Sequence, residues 1–243
     1  MRTSPLVIVA AALLAVGLAV GGWFIGHGFT QARAGDRFVT VKGVAEREVA
    51  ADLALWPVRF VTTSNDLAAA QSRIAEDAER VLRFLTANGL DRKAVEVASL
   101  EVTDLLAQAY RSGPIESRFI VAETLMVRTT EVDKVALAAQ RIGDLLAAGV
   151  VLSSEGQLSP GPVYLFTRLN DIKPAMIAEA TQSAREGAEQ FAKDSASRIS
   201  GIRRASQGLF EILPRDNTPG MSQEKQIAKT VRVVSTIDYA LAD

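Results

Sequence analysis

The chain has 243 residues, with 27 Lys and Arg against 28 Asp and Glu, one His and no Cys. Without cysteine there is no thiol nucleophile, thiolate metal site or disulfide framework, and the lone His27 at the end of an apolar segment leaves no histidine for triad hydrolysis or metal ligation elsewhere. Residues 1–34 hold two arginines and no acid, so the rest carries 25 bases against 28 acids, a net of −3 (25 − 28), a poor nucleic-acid binder with no polybasic run for anionic lipid.

From Thr3 to Ala32 there is no charged side chain, and Leu6–Ile25 is apolar almost without interruption. Twenty helical residues rise about 30 Å, the hydrocarbon thickness of a bilayer. The segment reads as a membrane anchor, with Trp23, Phe24 and Phe29 gathered at one end as interfacial rings. A cleaved signal peptide is the main rival reading, because Ala32-Arg33-Ala34 has the small-x-small form that signal peptidase accepts; a buried helix of a soluble protein is the third. Gly17/Gly21 and Gly22/Gly26 are small-xxx-small pairs, but they point about 140° apart and form no continuous seam. Arg2 on one side balances Arg33 and Arg37 on the other, so charge does not orient the segment. No phosphate-binding glycine loop or dinucleotide fingerprint occurs; Gly26-His27-Gly28 is only a fragment and lies in the anchor.

Phe38–Val49 and Asp52–Thr62 alternate as strands and are expected to pair, with a bulge or an edge position at Pro57. Ser64–Asn88 is a predicted helix. Leu67, Ile74, Ala78, Val81 and Leu85 form its apolar face, Arg73, Glu76, Asp77, Glu79, Arg80 and Arg83 cover it, and Asn88-Gly89 stops it. Val95–Tyr110 and Ser117–Arg128 follow as strands joined by Arg111-Ser112-Gly113-Pro114. Glu131–Ala147 reads as one helix ended by Gly149. Gln157–Arg168 is a strand interrupted by Pro160-Gly161-Pro162.

The longest helix is predicted from about Ile172 to Ser200. Asn170 or Asp171 is its cap, Pro174 lies in its first turn, and Gly201 terminates it. Its inner face would carry Ile177, Ala180, Ala184, Ala188, Phe191 and Ile199, mostly alanines, so whatever it packs on can come close. Ala205–Leu213 returns as a strand, Pro214–Lys225 is polar and turn-rich, and the last strand sets Val231, Val233, Ile237, Tyr239 and Leu241 opposite Arg232, Thr236 and Asp238. The order ββα-ββα-β-α-ββ predicts an α+β fold, helices laid on largely antiparallel sheet. The domain division is 1–34 for anchor and linker, 35–243 for the rest.

This layout resembles the SIMPL-domain family. The resemblance rests on Val39-Thr40-Val41-Lys42-Gly43 with Glu46 and Ala51-Asp52, the helix ending Asn88-Gly89-Leu90, the alanine-rich helix through Ala180, Ala184, Ala188 and Phe191-Ala192, and the Val231–Leu241 strand. It covers roughly residues 37–241. Ala45 and Ala51 depart from it, standing where relatives often have glycine and proline. The resemblance implies a bacterial envelope protein exported through its amino-terminal segment, without an established catalytic site. It also implies an association with envelope or oxidative stress and self-assembly. No catalytic, cofactor-binding or metal residue is carried over, and no cofactor is expected.

Among individual residues, Glu123 shares its strand phase with Phe119, Val121, Leu125 and Val127, which aims a carboxylate at the core. Burial of an unpaired carboxylate costs several kcal/mol, so a partner or a proton is required; Arg59 is one candidate. Glu46 and Glu48 read as a solvated hairpin end, and Arg203-Arg204 as positive charge after a helix C-terminus. The leading expectation is a non-catalytic, membrane-anchored periplasmic domain that binds or self-assembles. It would contact the bilayer through Leu6–Ile25. The alternatives are an enzyme using Glu123, Arg59, Arg118 and Asp104 in one pocket, and a component of an oligomeric pore.

Overall fold

The computed structural model describes residues 5–34, 37–107, 116–155, 160–216, 218, 220 and 222–242, and within the first helix the side chains of Val9 and residues 13–28. The expected turn Arg111–Pro114, Tyr110 and the start of the strand at Gln157 lie outside them. The chain comprises α1 Pro5–Ala34, β1 Phe38–Ala50, β2 Leu53–Ser64, α2 Leu67–Ala87, β3 Val95–Asp104, β4 Phe119–Thr129, α3 Val132–Gln140 and α4 Gly143–Ala147. It continues with β5 Val163–Leu165, α5 Leu169–Asp194, β6 Arg198–Gln207, β7 Glu211–Pro214 and β8 Ala228–Ala242. This is the mixed α+β architecture expected, with antiparallel sheets. A helix forms over the apolar amino-terminal run. Among the described residues, no helix is long and apolar enough to cross a membrane.

The chain divides into two compact units, and the division falls inside β1, α5 and β8. The first unit comprises Met1–Glu46, Pro174–Phe210 and Arg232–Asp243. Its sheet runs β1-β8-β6. The Arg37 carbonyl accepts from Leu241 N–H, Thr40 donates to Asp238, and Glu46 pairs with Arg232, contacts that step in opposite directions and make β1 and β8 antiparallel. Val39, Ile237 and Tyr239 of this sheet pack with Ala184 and Ala188 of α5. The buried face of α5 is Met176, Ala180, Ala184, Ala188 and Ala192, a strict four-residue stripe, while Phe191 is exposed. Gly43 explains why the stripe is alanine: a Cβ there would lie 2.8 Å from the Ala184 Cβ and closer still to the Ala180 carbonyl oxygen. Backbone of β1 and backbone of α5 touch at that point, which only glycine permits.

The second unit comprises Arg47–Lys173 and Glu211–Val231. Its sheet has the order β3-β4-β2-β5. The β2–β4 register is unbroken from Ala54↔Thr129 to Ser64↔Phe119. Ala54, Trp56, Val58, Phe60, Val121, Leu125 and Val127 join Ala70, Ile74, Val81 and Leu85 of α2 in one core, with Val132, Val135, Ala138 and Leu145 from α3 and α4. Asp66 caps α2, its side chain accepting from Ala69 N–H at 2.8 Å, and Gly89 closes it at φ +80°. Asp77, expected on the polar side, is buried on the inner face and paired with Arg80.

Several expectations are corrected. β1 does not pair with β2: the two strands belong to different sheets. There is no bulge at Pro57, because β2 alternates strictly along its length. Val61 N–H and the Arg59 carbonyl bond to Val151 and Ser153, so Pro57, two residues on, aims its nitrogen to the same side, beyond the reach of β5, which pairs only Leu53–Leu55. It forfeits no ladder bond.

The bulges lie instead between Val97 and Ser99 and at two places in β6. The helix expected at Glu131–Ala147 is two, broken before Gly143. α5 ends at Asp194, six residues short of Ser200, and Gly201 is inside β6. Ala196 takes the left-handed position (φ 51°), with Ser197 N–H bonding back to the Ala192 carbonyl. This is a Schellman-type stop made without glycine. The expected strand Ala205–Leu213 is parts of β6 and β7, so the final run is three strands rather than two.

Candidate functional site

One cleft in the second unit is assembled from parts the chain holds deliberately. Its volume is about 620 Å³. Pro160, Pro162 and Tyr164 of the β5 approach form one side, and Ala136, Ala139 and Gln140 of α3 another. Residues 215–216 and 225–228 close it.

The position of each wall follows from local chemistry. Asp52, at the corner after β1, accepts Thr167 N–H and Thr167 Oγ1–H at 2.9 Å each and Arg168 N–H at 3.2 Å. That fixes the exit of β5 into α5. Lys225 ends a 3-10 turn, Gln223–Lys225, and its Nζ donates to the carbonyls of Pro160 (2.7 Å), Pro162 (3.1 Å) and Gly161 (3.4 Å). Gln226 reaches the other way: its Nε2 donates to the Asp216 carbonyl at 2.7 Å and its Oε1 accepts Asp216 N–H at 3.0 Å. Two adjacent side chains thus hold two distant loops.

Carboxylates act on both cations of the cleft, Asp216 and Glu48 on Arg215 and Glu224 on Lys225. Arg215 forks onto Asp216, Nη2 to Oδ2 at 2.9 Å and Nε to Oδ1 at 3.3 Å, and holds that carboxyl below its usual range. Lys225 is satisfied by carbonyl oxygens, and burial pulls its pKa down. Lys229 is fully buried and donates only to the Gln223 carbonyl and side-chain amide; burial lowers its pKa as well. Tyr164 is 6% exposed, and its hydroxyl makes no hydrogen bond among the described residues. Burial alone raises its pKa.

The residues singled out from sequence are not gathered together. Glu123 is buried at 8% exposure, opposite Phe60 on β2 and Leu100 on β3, and burial raises its pKa. It has no ion pair or hydrogen bond among the described residues. Arg59 is not its partner: Arg59 lies on the other face of β2 and forks onto Glu101 at 3.0 and 3.1 Å, lowering that carboxyl's pKa. Arg118 and Asp104 pair with each other at 2.8 Å, which lowers the Asp104 pKa. Glu46 and Glu48 are exposed along β1, not at a hairpin end, and Glu46 pairs with Arg232 at 3.4 Å.

Arg203 and Arg204 lie within β6 rather than after a helix, with the Arg203 guanidinium 5.1 Å from the Phe38 ring centre. No group of three or more metal-ligating side chains is present among the described residues.

Sequence reasoning missed the cleft. Lys229 was legible, since it shares the phase of Val231 and Val233 on β8. Lys225, Gln226 and Tyr164 carry no pattern of their own, because their roles depend on loops far away in the chain.

A family model described as "SIMPL: Protein of unknown function (DUF541)" matches residues 39–237. That is most of the chain, and the chain belongs to this family. No curated protein matches it.

Proposed function

We propose that this SIMPL-family chain is a non-catalytic binding domain tethered to the bacterial inner membrane. Leu6–Ile25 would cross the bilayer and residues 35–243 would stand in the periplasm. The observation that supports the tether is α1 itself. Leu13, Leu14, Val16, Leu18, Trp23, Phe24 and Ile25 are all exposed around a 30-residue helix. Those side chains are apolar and exposed with respect to the described residues, an arrangement that lipid would solvate comfortably.

Binding is favoured over catalysis because Glu123, Arg59, Arg118 and Asp104 do not converge in one cleft. Two of them are engaged with each other and a third with Glu101. Self-assembly is supported by β3, which is the end strand of its sheet and leaves Val97, Leu100 and Val102 at least half exposed. Open apolar edges of this kind are templates for another strand. A role in envelope or oxidative stress is part of this proposal, and a pore would require assembly.

The test is alkaline extraction of membranes combined with protease accessibility in spheroplasts and mass measurement of the mature amino terminus. The expected result is a carbonate-resistant protein cleaved by external protease. A soluble chain retaining Met1 would refute the tether. A mature terminus at Gly35 would replace the anchor with a cleaved signal. Sedimentation of the detergent-solubilised chain tests assembly, and a monomer removes it.

A further inference from the structure

We infer that the end of the first unit where β1 begins is a docking surface for the phospholipid headgroup layer, with Phe38 and Phe191 as its apolar contacts. This surface presupposes the tether proposed above and fixes which end of the unit lies against the bilayer.

Three elements meet at that end. Arg37 Nη2 donates to Ser197 Oγ at 3.3 Å, and the Arg37 carbonyl accepts Leu241 N–H at 3.0 Å. The start of β1, the finish of β8 and the turn from α5 into β6 therefore lie together. α5 runs toward the same place: Gly43 meets Ala180 and Ala184, whereas Val39, nearer the start of β1, clusters with Ala184 and Ala188. Its last turns bring Phe191 to this end, 50% exposed. Phe38 is 49% exposed. Val39 faces α5, so strand alternation turns Phe38 to the opposite face of the sheet. The two rings flank the strand ends from either side.

Covalent reach brings this end to the membrane. With Leu6–Ile25 in the hydrocarbon, residues 26–34 of α1 rise about 14 Å beyond it. The headgroups occupy the first ~5–8 Å of that rise. From Ala34 to Phe38 the chain spans at most about 14 Å, enough to return Phe38 to the headgroup layer. Leu209 lies past the other end of β6, about 30 Å of strand away. A tether makes the second contact intramolecular, so a weak interfacial affinity is enough to hold it.

Charge does not drive the contact. Arg37, Lys193 and Arg198 share this end with Asp194, and Asp36 and Asp243 adjoin it in sequence. Arg204 stands opposite Asp238 in the β6–β8 register, and the Arg203 guanidinium lies over the Phe38 ring. Exposed rings set among long charged side chains of both signs suit a zwitterionic interface, where the rings enter and the charged tips stay in water.

The chain has no cysteine, so Leu14→Cys, Ser195→Cys and Leu209→Cys each place one nitroxide on the full chain in phosphatidylcholine nanodiscs. Collision with oxygen against a water-soluble nickel chelate reads the depth of each label. Leu14 should be deep in lipid and Leu209 aqueous. Ser195, exposed in the turn after α5, should collide with the chelate several-fold less often than Leu209. Added phosphatidylglycerol or high salt should leave that difference in place. Phe38→Ser with Phe191→Ser should return Ser195 to the Leu209 value while Leu14 stays in lipid. Both rings are half exposed, so the double variant should fold, which circular dichroism checks; Phe191→Ser alone is the milder version.

An aqueous Ser195 over an immersed Leu14 overturns the docking surface and leaves the tether standing. An aqueous Leu14 overturns both. A Leu209 label as protected as Ser195 overturns the choice of end. Protection that needs phosphatidylglycerol and vanishes in salt, or that survives loss of both rings, overturns the assignment to Phe38 and Phe191.

Discussion

Gly43→Ala should be among the most destabilising single substitutions in the first unit. The added Cβ would sit 2.8 Å from the Ala184 Cβ and deeper still inside the contact distance of the Ala180 carbonyl oxygen. Both obstacles belong to a helix backbone or its first side-chain atom, so no flexible tip can swing aside. Relief requires α5 to retreat from β1 by about 1 Å, and a gap of that size forfeits roughly a quarter to a half of each dispersion contact along the seam. The seam includes Ala184, Ala188, Val39, Ile237 and Tyr239.

Overpacking without escape costs about 1–3 kcal/mol in typical cores. Here, with backbone as the obstacle, at least ~3 kcal/mol is expected. The assay is urea unfolding followed by circular dichroism, with Gly187→Ala as the internal control. Gly187 lies in the same helix but a Cβ there meets nothing within 4 Å, so that variant should gain about 0.5–1 kcal/mol from helix propensity. A Gly43→Ala protein unfolding at the wild-type midpoint would show that the close approach does not exist.

Three further outcomes follow from the same geometry. Ala196→Gly should stabilise by about 1 kcal/mol, because Ala196 holds a left-handed φ of 51° that glycine adopts freely; no gain in midpoint would remove the strain assigned to that residue. Asp52→Ala should cost about 2 kcal/mol or more, since one carboxylate accepts three hydrogen bonds from Thr167 and Arg168; amide exchange at Thr167 and Arg168 should rise with it, and unchanged exchange would sink the anchoring role.

Glu123 has its pKa raised by burial. Its contribution is therefore fully present below the unfolded carboxyl's pKa of ~4.3 and is lost as pH rises through the folded value. Glu123→Gln should flatten that decline and be more stable than the parent at neutral pH. Thermal melts from acid to neutral pH decide it, and parallel profiles for the two proteins would contradict the assignment.

Local pattern carried much of this fold. Alternation in β8 placed Val231, Val233, Ile237 and Tyr239 on the buried face, and the helical spacing of Ile74, Val81 and Leu85 placed the inner face of α2. The SIMPL match over 39–237 agrees with the resemblance read over 37–241. What local pattern could not carry was pairing. β1 and β2 are adjacent in sequence and alternate alike, yet β1 lies beside β8, some two hundred residues away.

The end of α5 was misplaced for a specific reason. A glycine signal pointed to Gly201, while the real stop is an alanine forced into glycine's conformation. Glu123 was legible as a buried carboxylate from strand phase alone. Its lack of a partner was not, because Arg59 turned out to face the other way and engage Glu101. The cleft was invisible for the same physical reason: Lys225 acquires its meaning from three carbonyls more than sixty residues earlier.

The order in which the ribosome delivers this chain is at odds with the order of its first sheet. β1 emerges early, but the strand it lies beside begins at Ala228. At synthesis rates of ~5–20 residues per second, roughly ten to forty seconds separate the two. Throughout that interval Val39, Val41, Gly43 and Ala45 form a half-finished surface with an unzipped edge, while most of the other unit can already have closed. β8 is the latch, and a nascent protein stalled or truncated before Ala228 is left with a sticky strand that neighbouring chains can capture.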